Sequence, residues 1–90
     1  MATLIKSDGK MNEFTPQSGV KFTLEELQKA VGGYIEIVHI DKDFDMVVNE
    51  EGKLLCLPIN ETATRLYRRV RYTDDLIVGD VLICNKQELD

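Results

Sequence analysis

At 90 residues, with a net charge of -5 and 43% hydrophobic content, the chain is sized for one domain, 1–90, that buries a little over ~60% of its unfolded surface. It holds no run near the ~18 apolar residues that a membrane span needs, and the start MATLIKSDGK turns polar at Lys6 and Ser7, so neither a signal peptide nor an anchor is expected and the protein is placed in the cytoplasm. Residues 57 to 72 carry +3 and the rest of the chain -8, a balance under which most of the surface would repel long nucleic acid.

In chain order, ATLIK and KMNEF flank SDG and predict a hairpin turning at Ser7 to Gly9, since Asp-Gly tolerates positive φ. TPQSG is a loop. FTLEELQKAVGG then predicts a helix with Thr23 as N-cap and Glu26 closing a capping box. Leu24, Leu27 and Val31 form its buried face, and Gly32 with Gly33 its stop. YIEIVHI, 34 to 40, is rich in β-branched residues and reads as a central strand. After the turn DKDFD, the stretches MVVN and KLLCL read as strands joined by NEEG, with Gly52 at the position expected to need a left-handed backbone. Pro58 ends that strand and Asn60 caps a second helix. DLIVGDVLIC closes the pattern as two short strands bent at Gly79 and Asp80. The order β-β-α-β-β-β-α-β-β predicts an α+β fold, with two helices packed on a small, mostly antiparallel sheet.

Few stretches carry recognisable chemistry. DKDFDMVVNEEG spaces Asp41, Asp43 and Asp45 like the opening of a calcium loop, but Met46 stands where glycine is required and Gly52 where a bidentate glutamate is required. The stretch therefore reads as an acidic, solvated turn, and no metal is expected. His39, the only histidine, reads as a strand histidine with one satisfied nitrogen. Cys56 and Cys84 lie in apolar runs and read as buried thiols. VGGY follows a helix and is misplaced for a phosphate loop. No set of nucleophile, base and orienting group emerges, so no catalysis and no cofactor are expected.

The second helix says more. Ala63, Leu66, Tyr67 and Val70 share one stripe at 100° per residue and are expected to face the sheet. The opposite stripe holds Glu61, Arg65, Arg68 and Tyr72, with a Glu61–Arg65 ion pair and an Arg68–Tyr72 stack expected along it. All four arginines of the chain lie here, at Arg65, Arg68, Arg69 and Arg71, whereas its other seven cations are lysines. A solvated helix face would be served equally by lysine, while the planar guanidinium is preferred where phosphate is gripped in two places or a base is stacked. Tyr34, Asn60, Thr64, Arg65, Arg68, Arg69 and Tyr72 are the candidate ligand-binding residues, suited to a nucleotide-sized anion or an acidic protein partner.

LQKAVGGYIEIV, VVNEEGKLLCLPINETAT and DLIVGDVLI together resemble a small domain family of uncharacterised function, widespread in phages and mobile elements of bacteria. GGYIE, NEEGK and PxNxxAT in this order carry the resemblance, which covers roughly residues 24 to 84. It implies a phage-type, stand-alone cytoplasmic protein. More loosely, the chain is similar to the phage anti-CBASS sponges that sequester cyclic GMP-AMP. That likeness implies a cyclic nucleotide ligand, held without cleavage by a homo-oligomer, a tetramer at first guess. Pro58, Asn60, Ala63 and Thr64 of PxNxxAT and the arginines that follow are then the pocket candidates. RLYRRVRY departs from the family's shorter, less basic continuation and marks a site particular to this chain or a soluble helix face. The alternative is an acidic interaction module that inhibits a host protein, motivated by the -8 outside the arginine segment.

Overall fold

The computed structural model describes residues 2–71 and 73–89. Two strands, β1 (Ala2–Ile5) and β2 (Met11–Phe14), form the expected hairpin, with Gly9 at φ +97° in its turn. Helix α1 (Leu24–Val31) follows, then β3 (Ile35–His39), β4 (Phe44–Asn49), helix α2 (Glu61–Arg71) and β5 (Val81–Asn85), with a short 3₁₀ turn at Lys86–Glu88. The strands lie in the order β2-β1-β5-β4-β3, each antiparallel to its neighbours. The fold is α+β, two helices on a five-stranded antiparallel sheet.

The pleat divides the apolar side chains between two faces. Val47, Leu82 and Cys84 point to one face and pack with Phe22, Leu27, Val31 and Leu89 under α1. Met46, Val48 and Val81 point to the other and pack with Ile5, Ile40, Ile77 and Ala63 of α2. Helix α1 begins on the expected capping box, Thr23 Oγ1 accepting from Glu26 N while Glu26 Oε1 accepts from Thr23 N. It ends at Gly32 in the left-handed region, where the Gln28 carbonyl accepts from the N–H groups of both Gly32 and Gly33. Leu27 and Val31 are buried as expected, but Leu24, at the open end of the helix, is exposed.

Two stretches expected as strands take other forms. Lys53 to Cys56 of KLLCL lie in a continuous turn over residues 50–56, and Leu57 follows it outside the ladder. There Leu57 N–H bonds the Gly52 carbonyl at 3.0 Å and Cys56 N–H the Lys53 carbonyl at 3.2 Å, the paired 6→1 and 5→2 bonds that close a helical turn. The left-handed residue this closure requires is Cys56, at φ +55°, and not Gly52. Gly52 is needed for another reason: a Cβ there would lie 2.8 Å from Val78 Cγ2 and 3.3 Å from the Asn49 carbonyl oxygen. Cys56 is consequently exposed, whereas Cys84 is buried as expected. The second stretch, just before the Gly79 bend, contributes only a bridge, Ile59 to Val78, and β5 alone continues into the sheet.

Asn60 locks this second layer. Its side chain is completely buried and fully used: Nδ2 donates to the carbonyls of Ile5 and Gly79, both at 2.9 Å, and Oδ1 accepts from Ala63 N–H at 3.1 Å. One amide thus caps α2, as expected, and ties its start to the end of β1 and to the approach to β5. At its far end the last residue, Arg71, donates from Nε to the His39 carbonyl on β3 at 3.0 Å. An 11-residue helix is about 16 Å long, enough to cross the three strand spacings, about 14 Å, between β1 and β3.

Replacing Asn60 by Ala strands two buried carbonyls and uncaps α2, with an expected loss of about 3 kcal/mol in urea denaturation. Cys56→Gly relieves a left-handed conformation that costs a side-chain-bearing residue about 1–2 kcal/mol but adds freedom to the unfolded chain. A net gain of about 0.5–1 kcal/mol in the same measurement is expected.

Candidate functional site

The arginine helix presents its side chains in three different situations. Arg68 is turned back on its own chain, donating from Nη2 to the Asp74 carbonyl at 2.8 Å and from Nε to the Asp75 carbonyl at 3.2 Å. It and Arg71 therefore brace the loop after α2 and the end of β3. Arg65 and Arg69 are exposed and have no hydrogen-bond or ion-pair partner among the described residues. The expected Glu61–Arg65 ion pair does not form among those residues, and Tyr72, with the stack proposed for it, lies outside them.

Helical spacing brings the two open arginines together. Thr62, Arg65, Leu66 and Arg69 stand at i, i+3, i+4 and i+7, one face of two turns, and with Ile5 and Met11 they line a groove of about 280 Å³ between α2 and the β1–β2 hairpin. Its floor is apolar and its wall carries two guanidinium groups and a hydroxyl. Arg65 also borders a second groove of about 280 Å³ with Ile59, Glu61, Thr64, Arg68 and Leu76. Both grooves are near the lower limit of ligand-sized cavities.

The other expected binders are elsewhere or already engaged. Asn60 has spent both its amide protons, and its buried position gives a ligand no access. Thr64 is buried too: its Oγ1 accepts from Ile77 N–H at 2.9 Å and donates to the Ile77 carbonyl at 3.2 Å. The roles expected of them as ligand contacts are thereby replaced by structural ones. The buried stripe of α2 is correspondingly rotated from the expected one, with Thr64 inside and Val70 exposed, because the first turn is drawn inward by its bonds to residues 77–79. Tyr34 is 64% exposed at the start of β3 and lines neither arginine groove.

Thr62 was legible as a groove residue from its spacing to Arg65 and Arg69; Ile5 and Met11 were not, since only the fold places the hairpin there. A second polar cluster also went unseen. His39 and Asp45 are opposite each other across the β3–β4 turn, and Asp45 is buried rather than solvated. His39 Nδ1 lies 2.8 Å from Asp45 Oδ1, and Lys86 Nζ bonds the same oxygen. Lys86 Nζ is also 3.2 Å from Nδ1, but an ammonium cannot accept a proton. With Nδ1–H donating to the carboxylate, His39 and Lys86 share Asp45. The histidine thus has one satisfied nitrogen, as expected, and leaves Nε2 toward solvent. Burial pushes the Asp45 carboxyl up, but the hydrogen bonds and charges of Lys86 and His39 outweigh it and hold the group below the usual carboxylate range. Burial, with Glu88 and Asp45 nearby, pushes the Cys84 thiol up to about 12, so it stays protonated as a core hydrophobe.

A concavity of about 210 Å³ with mixed polar and apolar walls lies on the opposite flank of α2, its polar part formed by Glu36, Glu50, Lys53, Tyr67 and Asp75. Lys53 Nζ is 3.0 Å from Asp75 Oδ1 across its mouth. Its three carboxylates, against the single Lys53, disfavour phosphate there.

A family model described as a domain of unknown function, DUF3846, matches residues 2–90. The chain belongs to the DUF3846 family. The match spans both arginine grooves, the Asp45 cluster and every strand of the sheet. No curated protein and no solved structure matches the chain. Among the described residues, no helix is long and apolar enough to cross a membrane.

A group whose pKa is lowered in the fold contributes stability above its unfolded pKa, near 3.9 for aspartate, and loses it as pH falls through the folded value. Asp45 is therefore expected to contribute about 1–2 kcal/mol at pH 7 that disappears below pH ~4. Urea denaturation of Asp45→Asn should show that deficit at neutral pH, with wild type and variant converging in acid.

Proposed function

We propose that this DUF3846 protein is a non-catalytic binder that sequesters a compact, phosphate-bearing ligand in the Arg65–Arg69 groove, a cyclic dinucleotide such as cyclic GMP-AMP being the leading candidate. The observation that carries the reading is the division of labour along α2. Two arginines are consumed by backbone carbonyls, while two, one helical turn apart, remain open over an apolar floor. Guanidinium groups spaced in this way can each grip a phosphate with paired, charge-assisted bonds. The apolar floor of Ile5, Met11 and Leu66 offers surface for a sugar or base edge. Sequestration asks for affinity and copy number, not for a nucleophile or a base. The resemblance to phage sponges supplies the biological setting, an anti-defence role inside an infected bacterium, and stands as part of the proposal.

A second reading, an acidic module that docks on a host protein, draws on the same concavity, where a basic side chain of a partner would find Glu36 and Glu50 beside the Lys53–Asp75 pair. Binding there would be insensitive to Arg65 and Arg69.

Isothermal calorimetry with cyclic di- and trinucleotides distinguishes the two. Wild type should release heat with at least one of them. Arg65→Ala and Arg69→Ala should each weaken binding by about 10-fold or more, the worth of a lost charge-assisted bond. Arg68→Ala, whose guanidinium is held by Asp74 and Asp75, should bind within about 3-fold of wild type. Recovery of the intact nucleotide after denaturing the complex checks that it is held and not cleaved. Absence of heat with every nucleotide tested would sink the reading.

A further inference from the structure

The strand read from the sequence as central, residues 34 to 40, is an edge of the sheet, and this edge lacks the usual protection. The bonds around β3 show which of its groups are spent. The Tyr34 carbonyl accepts from Glu50 N–H and Ile40 N–H donates to the Phe44 carbonyl, so in the antiparallel alternation the even-numbered residues of this stretch face β4. The backbone groups of Ile35, Ile37 and His39 therefore point away from the sheet. Among the described residues only one of these six groups is engaged, the His39 carbonyl that accepts from Arg71 Nε. Natural edges are commonly blunted by lysine, proline, bulges or brevity. The opposite edge, β2, is four residues long and carries Asn12 and Glu13, with Lys10 beside them. β3 is longer, with Ile35, Ile37 and Val38 and one charge within it, Glu36.

We infer that β3 is a self-association edge, which pairs antiparallel with β3 of a second copy of this chain to give a two-fold dimer with a continuous ten-stranded sheet. The register follows from charge and hydrogen bonding. A two-fold axis at Glu36 sets two like charges directly opposite each other, which destabilises a strand pair. An axis at Ile37 sets Glu36 opposite Val38 and Ile35 opposite His39 of the second copy, with Ile37 beside its own mate. The outward groups of the three odd residues then form six inter-strand bonds. The His39 carbonyl, already bonded to Arg71, uses its second lone pair.

The side chains match this register. Ile37 is 40% exposed at the rim of an apolar trough of about 180 Å³, lined with Phe22, Leu24, Leu27, Ile35 and Leu89. Across the axis the two troughs run into one, with the paired Ile37 side chains covering the seam. Such an interface is isologous and closes after one pairing. A five-residue strand and one trough give a small interface, on the scale of weak, reversible complexes. The Arg65–Arg69 groove lies over the β1–β2 side of the sheet, so association and ligand binding are separable.

Sedimentation of the full chain over roughly three decades of concentration, up to about 1 mM, should show a reversible shift from 10.2 kDa to twice that mass. Ile37→Pro removes an N–H that points outward and no β4 bond, a placement strands tolerate at an edge. It should keep the wild-type circular dichroism and stay at the mass of one chain throughout, as should Ile37→Lys. In a Cys56→Ser background, Ile37→Cys should give a disulfide-linked dimer on mild oxidation, because facing residues of a hydrogen-bonded pair have Cα atoms about 5.5 Å apart. This arm decides the matter even if the proline variant fails to fold. A wild type that stays at one chain's mass over the whole range, a dimer that survives both Ile37→Pro and Ile37→Lys, or no cross-link at position 37 overturns the proposal. So does a β3 edge that pairs only with an unrelated protein.

Discussion

A single buried amide, that of Asn60, ties the start of α2 to the two neighbouring parts of the sheet beneath it, the end of β1 and the approach to β5. Its two donors reach the carbonyls of Ile5 and Gly79, and its oxygen starts α2. Because the donors end on backbone carbonyls from segments 55 and 19 residues away, the amide fixes the end of β1, the approach to β5 and the axis of α2 at once. The direction of that axis decides which arginines face outward. Thr64 repeats the device one turn later on Ile77, and Arg71 completes it at β3. The open pair, Arg65 and Arg69, is what remains after the helix has been anchored at both ends.

Local signals were the legible part of the sequence. The hairpin turn, the Thr23 capping box, the Gly32 stop and the Asn60 cap each rest on chemistry within a few residues, and each formed as read. KLLCL misled because an apolar run is ambiguous by itself. Its leucines and cysteine belong to a turn whose closure needs a left-handed residue, and the chain uses Cys56 for this where glycine is usual. The order of strands was not local at all. Nothing in YIEIVHI distinguishes a strand covered on both sides from one left at an edge, since that depends on where β5, some 40 residues later, inserts.

The site was legible as a segment and not as a surface. Composition pointed to the arginines because lysine serves every other cationic position. What each guanidinium does depends on carbonyls of Asp74, Asp75 and His39, and backbone acceptors leave no trace in residue type. For the same reason Asn60 and Thr64, whose side chains look suited to a ligand, proved to be satisfied by main chain. Asp45 shows the converse: a residue that reads as one more solvated acid becomes a buried anchor because β3 and β5 place His39 and Lys86 on either side of it.

The position of β5 has a consequence for how the chain acquires its structure. This strand follows every other in sequence yet occupies the middle of the sheet, between β1 and β4. Until it is in place, the earlier strands form two separate hairpins, β1–β2 and β3–β4, with no strand contact between them. Two-stranded units of this kind are marginal in water. Pairing β1 with β5 also closes a loop of nearly the whole chain, an entropic cost that must be met before the contacts that reward it exist. During synthesis the domain would therefore wait, largely unformed, until residues 81–85 leave the ribosome, and a frameshift or proteolytic cut before Val81 would remove the central strand and leave two hairpins with exposed apolar faces.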